Sequence, residues 1–121
     1  MSSVNKALVY SGSISGASGA TAAIGLEALT TDFIPTVQVS ALGAGTALAV
    51  TLQHSPEGTY WDDVATLETA AGAGSLSAVG ILLKQLPNTT PLYGNVRFSW
   101  TLTAGTTTAT AIFSVYYDKR R

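Results

Sequence analysis

The residues able to do chemistry crowd into one stretch, QHSPEGTYWDDV, at positions 53–64. It holds the only histidine, one of the two tryptophans, and Glu57, Asp62 and Asp63 from a total of seven acids. A histidine that works as a general base needs a nucleophile within hydrogen-bond reach and a group that fixes its tautomer. No G-x-S-x-G motif accompanies His54, and a zinc site would need further histidines or cysteines, which the chain lacks. His54 shares parity with Leu48, Val50 and Leu52 at a strand end. It therefore reads as a rim residue that caps an apolar core.

The acids carry a weaker message still. Calcium takes six to eight oxygens, and the spacing of Glu57, Asp62 and Asp63 lacks the D-x-D-x-D-G order of an EF-hand loop. On an extended segment, Asp62 and Asp63 point to opposite sides and cannot share a proton. Among the aromatics, Trp100 falls within an apolar stripe and is expected in the core. Trp61 follows a turn and is placed to pack over it. Tyr116 and Tyr117 present one ring to each face of a strand. With Tyr60 and Tyr93, these rings define the alternative of a sugar-binding platform. The C-terminal Lys119, Arg120 and Arg121 make a short basic tail, too small to argue for nucleic acid. Asn88-Thr89-Thr90 matches a glycosylation sequon, but the first sixteen residues lack the apolar core of a signal peptide, so secretion by that route is not expected. No residue is assigned as catalytic, cofactor-binding or metal-binding.

Ser55-Pro56-Glu57-Gly58 needs no ligand to explain it. Proline at the second position presets φ near −65°, serine suits the first position of a type I turn, and glycine the fourth. The stretch reads as a hairpin with a chemically specified turn.

The elements that flank it are strands. In Val96–Thr103, Val96, Phe98, Trp100 and Leu102 alternate with Arg97, Ser99, Thr101 and Thr103, the pattern of a half-buried antiparallel strand. The last segment places Ala111, Phe113, Val115 and Tyr117 on one face. Ile112 and Tyr116 stand on the other, so that side also has the makings of a covered surface. Leu48, Val50 and Leu52 form a third stripe, and Val37 and Val39 a fourth. Turn signals at 42–45, 55–58, 70–74, 86–91 and 103–107 recur every 10 to 15 residues or so, the spacing of a sandwich or barrel. Residues 21–30 read as a strand, with a short helical turn as the alternative. Residues 77–86 lean to strand, because Gly80 costs a helix about 1 kcal/mol.

The expected fold is all-β: a two-sheet antiparallel β-sandwich or jelly roll of about seven or eight strands with a flexible N-terminal arm. Residues 1–20 are the glycine- and serine-rich arm, with a poorly packed strand as the alternative. Residues 21–121 are a single β-sandwich domain, as suits a chain of 121 residues. Charged residues make up only 11% and the net charge is −1, so electrostatic attraction to nucleic acid or an anionic membrane is not expected. A surface this poor in charge, in a chain about half alanine, threonine, serine and glycine, suits one that faces other proteins.

A strand ending in Gln53-His54-Ser55, the Pro56-Glu57-Gly58 turn and the Trp61-Asp62-Asp63-Val64 return resemble small virion proteins of tailed bacteriophages. So does the later Val96-Arg97-Phe98-Ser99-Trp100-Thr101 strand with its Ala104-Gly105-Thr106 turn. In that group the recurrent pattern is HSPDG, then W, then LR-V-WT-T. The matching positions here are His54, Ser55, Pro56, Glu57, Gly58, Trp61, Val96, Arg97, Trp100 and Thr101, with Glu57 where aspartate is more usual. The likeness runs over residues 46 to 117 and carries no catalytic residues.

It implies a non-enzymatic capsid decoration (cement) protein, often a homotrimer. Such a protein sits on the outer surface of the virion, binds the major capsid protein and braces the phage head. No cofactor, nucleic acid, membrane or small-molecule substrate is implied. The alternatives are a head–tail connector or tail structural protein, and a carbohydrate-binding β-sandwich module. The N-terminal arm would lie on the capsid or add a strand to a neighbour.

Overall fold

The structure is a computed structural model, and it describes residues 4–25, 30–86 and 92–119. Nine strands occur among these residues: β1 (Val4–Ser15), β2 (Ser18–Ala20), β3 (Ile24–Gly25), β4 (Thr30–Leu42), β5 (Ala47–Ser55), β6 (Asp62–Thr66), β7 (Gly80–Leu83), β8 (Asn95–Thr103) and β9 (Thr108–Lys119). One sheet runs β1-β9-β4-β7. The other runs β2-β8-β5-β6, with β3 also paired to β8. Every pairing is antiparallel. If β2 and β3 count as one interrupted strand, the two sheets hold the eight strands of a jelly roll. The chain crosses between sheets at almost every connection, and β5–β6 is a hairpin within one sheet.

The alternating stripes build the core. Val96, Phe98, Trp100 and Leu102 of β8 are buried, as are Leu48, Val50 and Leu52 of β5, Val37 and Val39 of β4, and Ala111, Phe113 and Val115 of β9. The sheets meet where Phe98 lies 5.4 Å from Phe113, centroid to centroid. Each such side chain contributes roughly 1.5–3 kcal/mol by leaving water. Tyr117 packs inward, its ring stacked 6.4 Å from that of Phe33. Of the segments left open by the sequence, 77–86 contains β7, and 21–30 contains the short β3 with no helical turn in its described part.

Residues 1–20, expected as an arm, run instead within the fold from Val4 onward: β1 pairs along β9 and β2 pairs with β8. The reason lies in phase. The register steps from Leu8↔Ser114 to Tyr10↔Phe113, so Val9 is a bulge. Before it Ala7 packs on the core; after it Tyr10 meets Phe113 at 6.2 Å and Ile14 is buried. The serines of SGSIS alternate with inward Gly12 and Ile14, so a stretch that reads as linker is a strand with a small-residue face.

One end of the sandwich is locked by two loops. The Thr46 hydroxyl donates to the Ala104 carbonyl at 3.1 Å and accepts the Thr107 N–H at 3.0 Å, and Thr46 is buried. Gly105, at φ 61°, lies so close to the Ala44 carbonyl that a Cβ there would overlap it.

Candidate functional site

The 53–64 stretch folds as the β5–β6 hairpin, with His54 opposite Asp62 and Gln53 opposite Asp63. The Ser55 hydroxyl, fully buried, accepts the Gly58 N–H at 2.8 Å, so this side chain closes the turn. Gly58 takes φ 83°. Asn95 adds a clamp, its amide donating to the Pro56 carbonyl at 3.2 Å. His54 Nδ1 accepts the Tyr93 N–H at 3.1 Å, and the two rings lie 4.7 Å apart. The hydroxyl beside His54 in sequence is thus engaged with the turn, and the imidazole with the 92–94 segment.

Asp62 and Asp63 stand on opposite faces, as an extended segment requires. Asp63 belongs to a cross-strand row. Gln53 Nε2 donates to Asp63 Oδ1 at 2.9 Å, and Arg97 Nε donates to Gln53 Oε1 at 2.8 Å. The Arg97 guanidinium also lies over the Trp61 ring at 4.3 Å. Of the three acids in the stretch, Asp63 is thereby tied through Gln53 to Arg97, while Glu57 and Asp62 are exposed. No group of three or more histidines, cysteines and acids able to hold a metal ion occurs among the described residues. The Asn88–Thr90 sequon, Arg120 and Arg121 lie outside the described residues.

The register also assigns each outer face, because directly paired residues share a side. On the β2-β8-β5-β6 sheet, the outer rows read Asp63-Gln53-Arg97, then Thr66-Thr51-Ser99-Ala20, then Ala49-Thr101-Ser18. Apart from the charged row, that face is small and polar.

The β1-β9-β4-β7 sheet is different. Its outer rows read Lys6-Tyr116-Ile34, then Leu8-Ser114-Thr36-Leu83, then Ser11-Ile112-Gln38-Ile81. Leu8 is 58% exposed, Ile81 51% and Leu83 43%. Ile34, Ile112 and Tyr116 are half-buried on the same surface. At its centre Ser114 is fully buried, and its hydroxyl has no hydrogen-bond partner among the described residues. Lys6 is the charged side chain in these rows, and its Nζ lies 5.6 Å from the Tyr116 ring centroid. Six large apolar side chains thus share this exterior with Ser11, Ser114, Thr36 and Gln38, a composition suited to a contact surface. Ile112 and Tyr116 were legible as a second face of β9. Leu8, Ile34, Ile81 and Leu83 join them only through pairing between distant segments.

The strand order and the two contrasting outer faces define a jelly-roll protein with one apolar and one polar exterior. Solved structures of the same fold include the VP2 subviral particle of infectious bursal disease virus, with a TM-score of 0.62 at 12% identity, over 98% of this chain and 33% of that one. The PBSX exported protein XepA aligns with a TM-score of 0.62 at 8% identity, over 97% of this chain and 37% of that one. The CBM36-1 domain of a multidomain xylanase from the hindgut metagenome of Trinervitermes trinervoides aligns with a TM-score of 0.52 at 10% identity, over 94% and 96%. The chain thus spans about a third of the length of the first two. No known protein family and no curated protein matches the sequence.

Proposed function

We propose that this is a non-enzymatic structural protein of a virion, a capsid decoration protein that attaches to the major capsid protein on the outer surface of the head. The observation that carries this reading is the contrast between the two sheet exteriors. A partner that covers the Leu8-Ser114-Thr36-Leu83 face would bury Leu8, Ile81 and Leu83, and leave the small polar face toward solvent. Three strands about 4.8 Å apart and roughly 40 Å long, with the four-residue β7 beside them, offer on the order of 600 Å² in projection. That approaches the ~800 Å² per partner of a stable protein interface. The fold shared with a viral capsid protein supports the same reading, as does the likeness of the 53–64 hairpin and β8 to phage virion proteins. A trimer belongs to this reading, and mass measurement in solution tests it against a monomer or a ring. Co-sedimentation of the purified protein with phage heads that lack it tests attachment.

A second reading, a carbohydrate-binding module, draws on the xylanase CBM36-1 domain, which matches over nearly its whole length. Its candidate rings are Tyr60 and Tyr93, 86% and 50% exposed. Trp61 is less suited, because Arg97 occupies one of its faces. A tryptophan-fluorescence response to oligosaccharides, together with no binding to heads, would favour this reading.

A further inference from the structure

The β1 strand ends the β1-β9-β4-β7 sheet, and no strand among the described residues pairs with its other edge. Past the Val9 bulge the register with β9 is unbroken from Ser11 to Ser15, with Gly12 at φ 144°. The Gly16 N–H bonds to the Thr107 carbonyl on the β9 side. Main-chain groups alternate in direction along an antiparallel strand. Ser11, Ser13 and Ser15 therefore turn their N–H and C=O groups to the free edge. The Tyr10 hydroxyl, donating to the Ser13 carbonyl at 2.8 Å, meets one of these groups there.

Beside this edge a cleft of about 270 Å³ opens between the sheets, lined by Tyr10, Ile14, Ser15, Thr21 and Trp100 among others. None of its lining residues is charged. Its volume lies below the roughly 300–1,000 Å³ of small-molecule pockets, a size suited to a side chain.

From these two features we infer that the Ser11–Ser15 edge of β1 is a docking site for an extended segment of a partner protein. The segment is uncharged and carries one apolar side chain that enters the cleft between Tyr10, Ile14 and Trp100. Free main-chain donors and acceptors in strand register recognise another strand, and the alternate side chains of an added strand point toward the cleft. A neutral cleft selects a neutral insert, because a charge placed there would be stripped of water without a partner. A second copy pairing through the same edge fits less well, since its Ile14 is buried in its own core and Gly12 brings no side chain. On binding, the segment takes over the Ser13 carbonyl from the Tyr10 hydroxyl. This edge borders the apolar face at Ser11, but its cleft opens between the sheets, and the site stands independently of the virion reading.

The test uses the full chain and a blocked heptapeptide that alternates threonine with valine around a central leucine. The measurements are amide hydrogen exchange and Trp100 fluorescence, with peptide up to millimolar concentration. The expected result is exchange at Ser11, Ser13 and Ser15 slowed at least tenfold, with a fluorescence shift. The same peptide with a central aspartate should have no effect, and Ser13→Pro, which removes one edge donor and leaves the β9 pairing, should weaken binding at least tenfold. Lack of protection at these amides overturns the proposal. Equal binding of the aspartate peptide, or undiminished binding to folded Ser13→Pro, also overturns it. Protection that rises with protein concentration alone would assign the edge to a second copy and overturn the stated partner.

Discussion

The Arg97 guanidinium lies 4.3 Å from the centroid of the Trp61 ring while its Nε donates to Gln53 at 2.8 Å. The most polar part of the chain is thereby engaged within itself, from Asp63 through Gln53 and Arg97 to Trp61. If this row is architecture, its value is in stability. Arg97→Ala and Trp61→Ala should each destabilise modestly, and a double-mutant cycle should show coupling of about 0.5–1 kcal/mol, the range for a partly exposed cation–π pair. Denaturant melts of the two single variants and the double variant measure it.

Ser55 makes a sharper prediction within the same hairpin. Its hydroxyl is buried and satisfies the Gly58 N–H. Ser55→Ala leaves that donor without its partner and should cost about 1–2 kcal/mol. A substitution of Glu57, exposed in the turn, should stay within about 0.5 kcal/mol of wild type. Equal melting of the two variants would contradict the turn's design.

The loop lock at the other end should be the least tolerant place outside the core. Gly105→Ala adds a methyl against the Ala44 carbonyl at a positive φ, and overpacking with backbone strain should cost about 2–4 kcal/mol. Thr46→Val keeps the shape but strips partners from the Ala104 carbonyl and the Thr107 N–H. It should cost about 1–3 kcal/mol. Thermal unfolding of both variants checks this, and near-wild-type stability for Gly105→Ala would count against the close approach.

Much of this architecture was legible in the chain, and the illegible parts have identifiable causes. The stripes of β4, β5, β8 and β9 could be read because each keeps its period of two across a buried face, from Val37 and Val39 to Phe113 and Val115. The β1 strand could not. Its bulge at Val9 reverses the phase midway, and glycine and serine between Tyr10 and Ile14 look like linker. The hairpin turn was legible from Ser55 and Pro56, although its closure by a serine side chain was not. The apolar exterior was half legible. Ile112 and Tyr116 showed a second apolar face on β9, but Leu8 and Leu83 lie 75 positions apart in the sequence. Only pairing through Ser114 and Thr36 sets them in one row.

The apolar row predicts a separation of binding from stability. Leu8 and Leu83 are largely exposed, so lysine at either position should change unfolding free energy by no more than about 0.5 kcal/mol. A lysine on the polar exterior, at exposed Thr101, should be equally benign. Matched melting curves for the three variants establish that they are folded and comparable.

With those variants in hand, co-sedimentation with phage heads that lack the protein tests the central claim most directly. The account predicts that wild type and Thr101→Lys pellet with the heads, whereas the Leu8→Lys/Leu83→Lys double variant stays in the supernatant. Failure of wild type to pellet, or undiminished pelleting of the folded double variant, would contradict it.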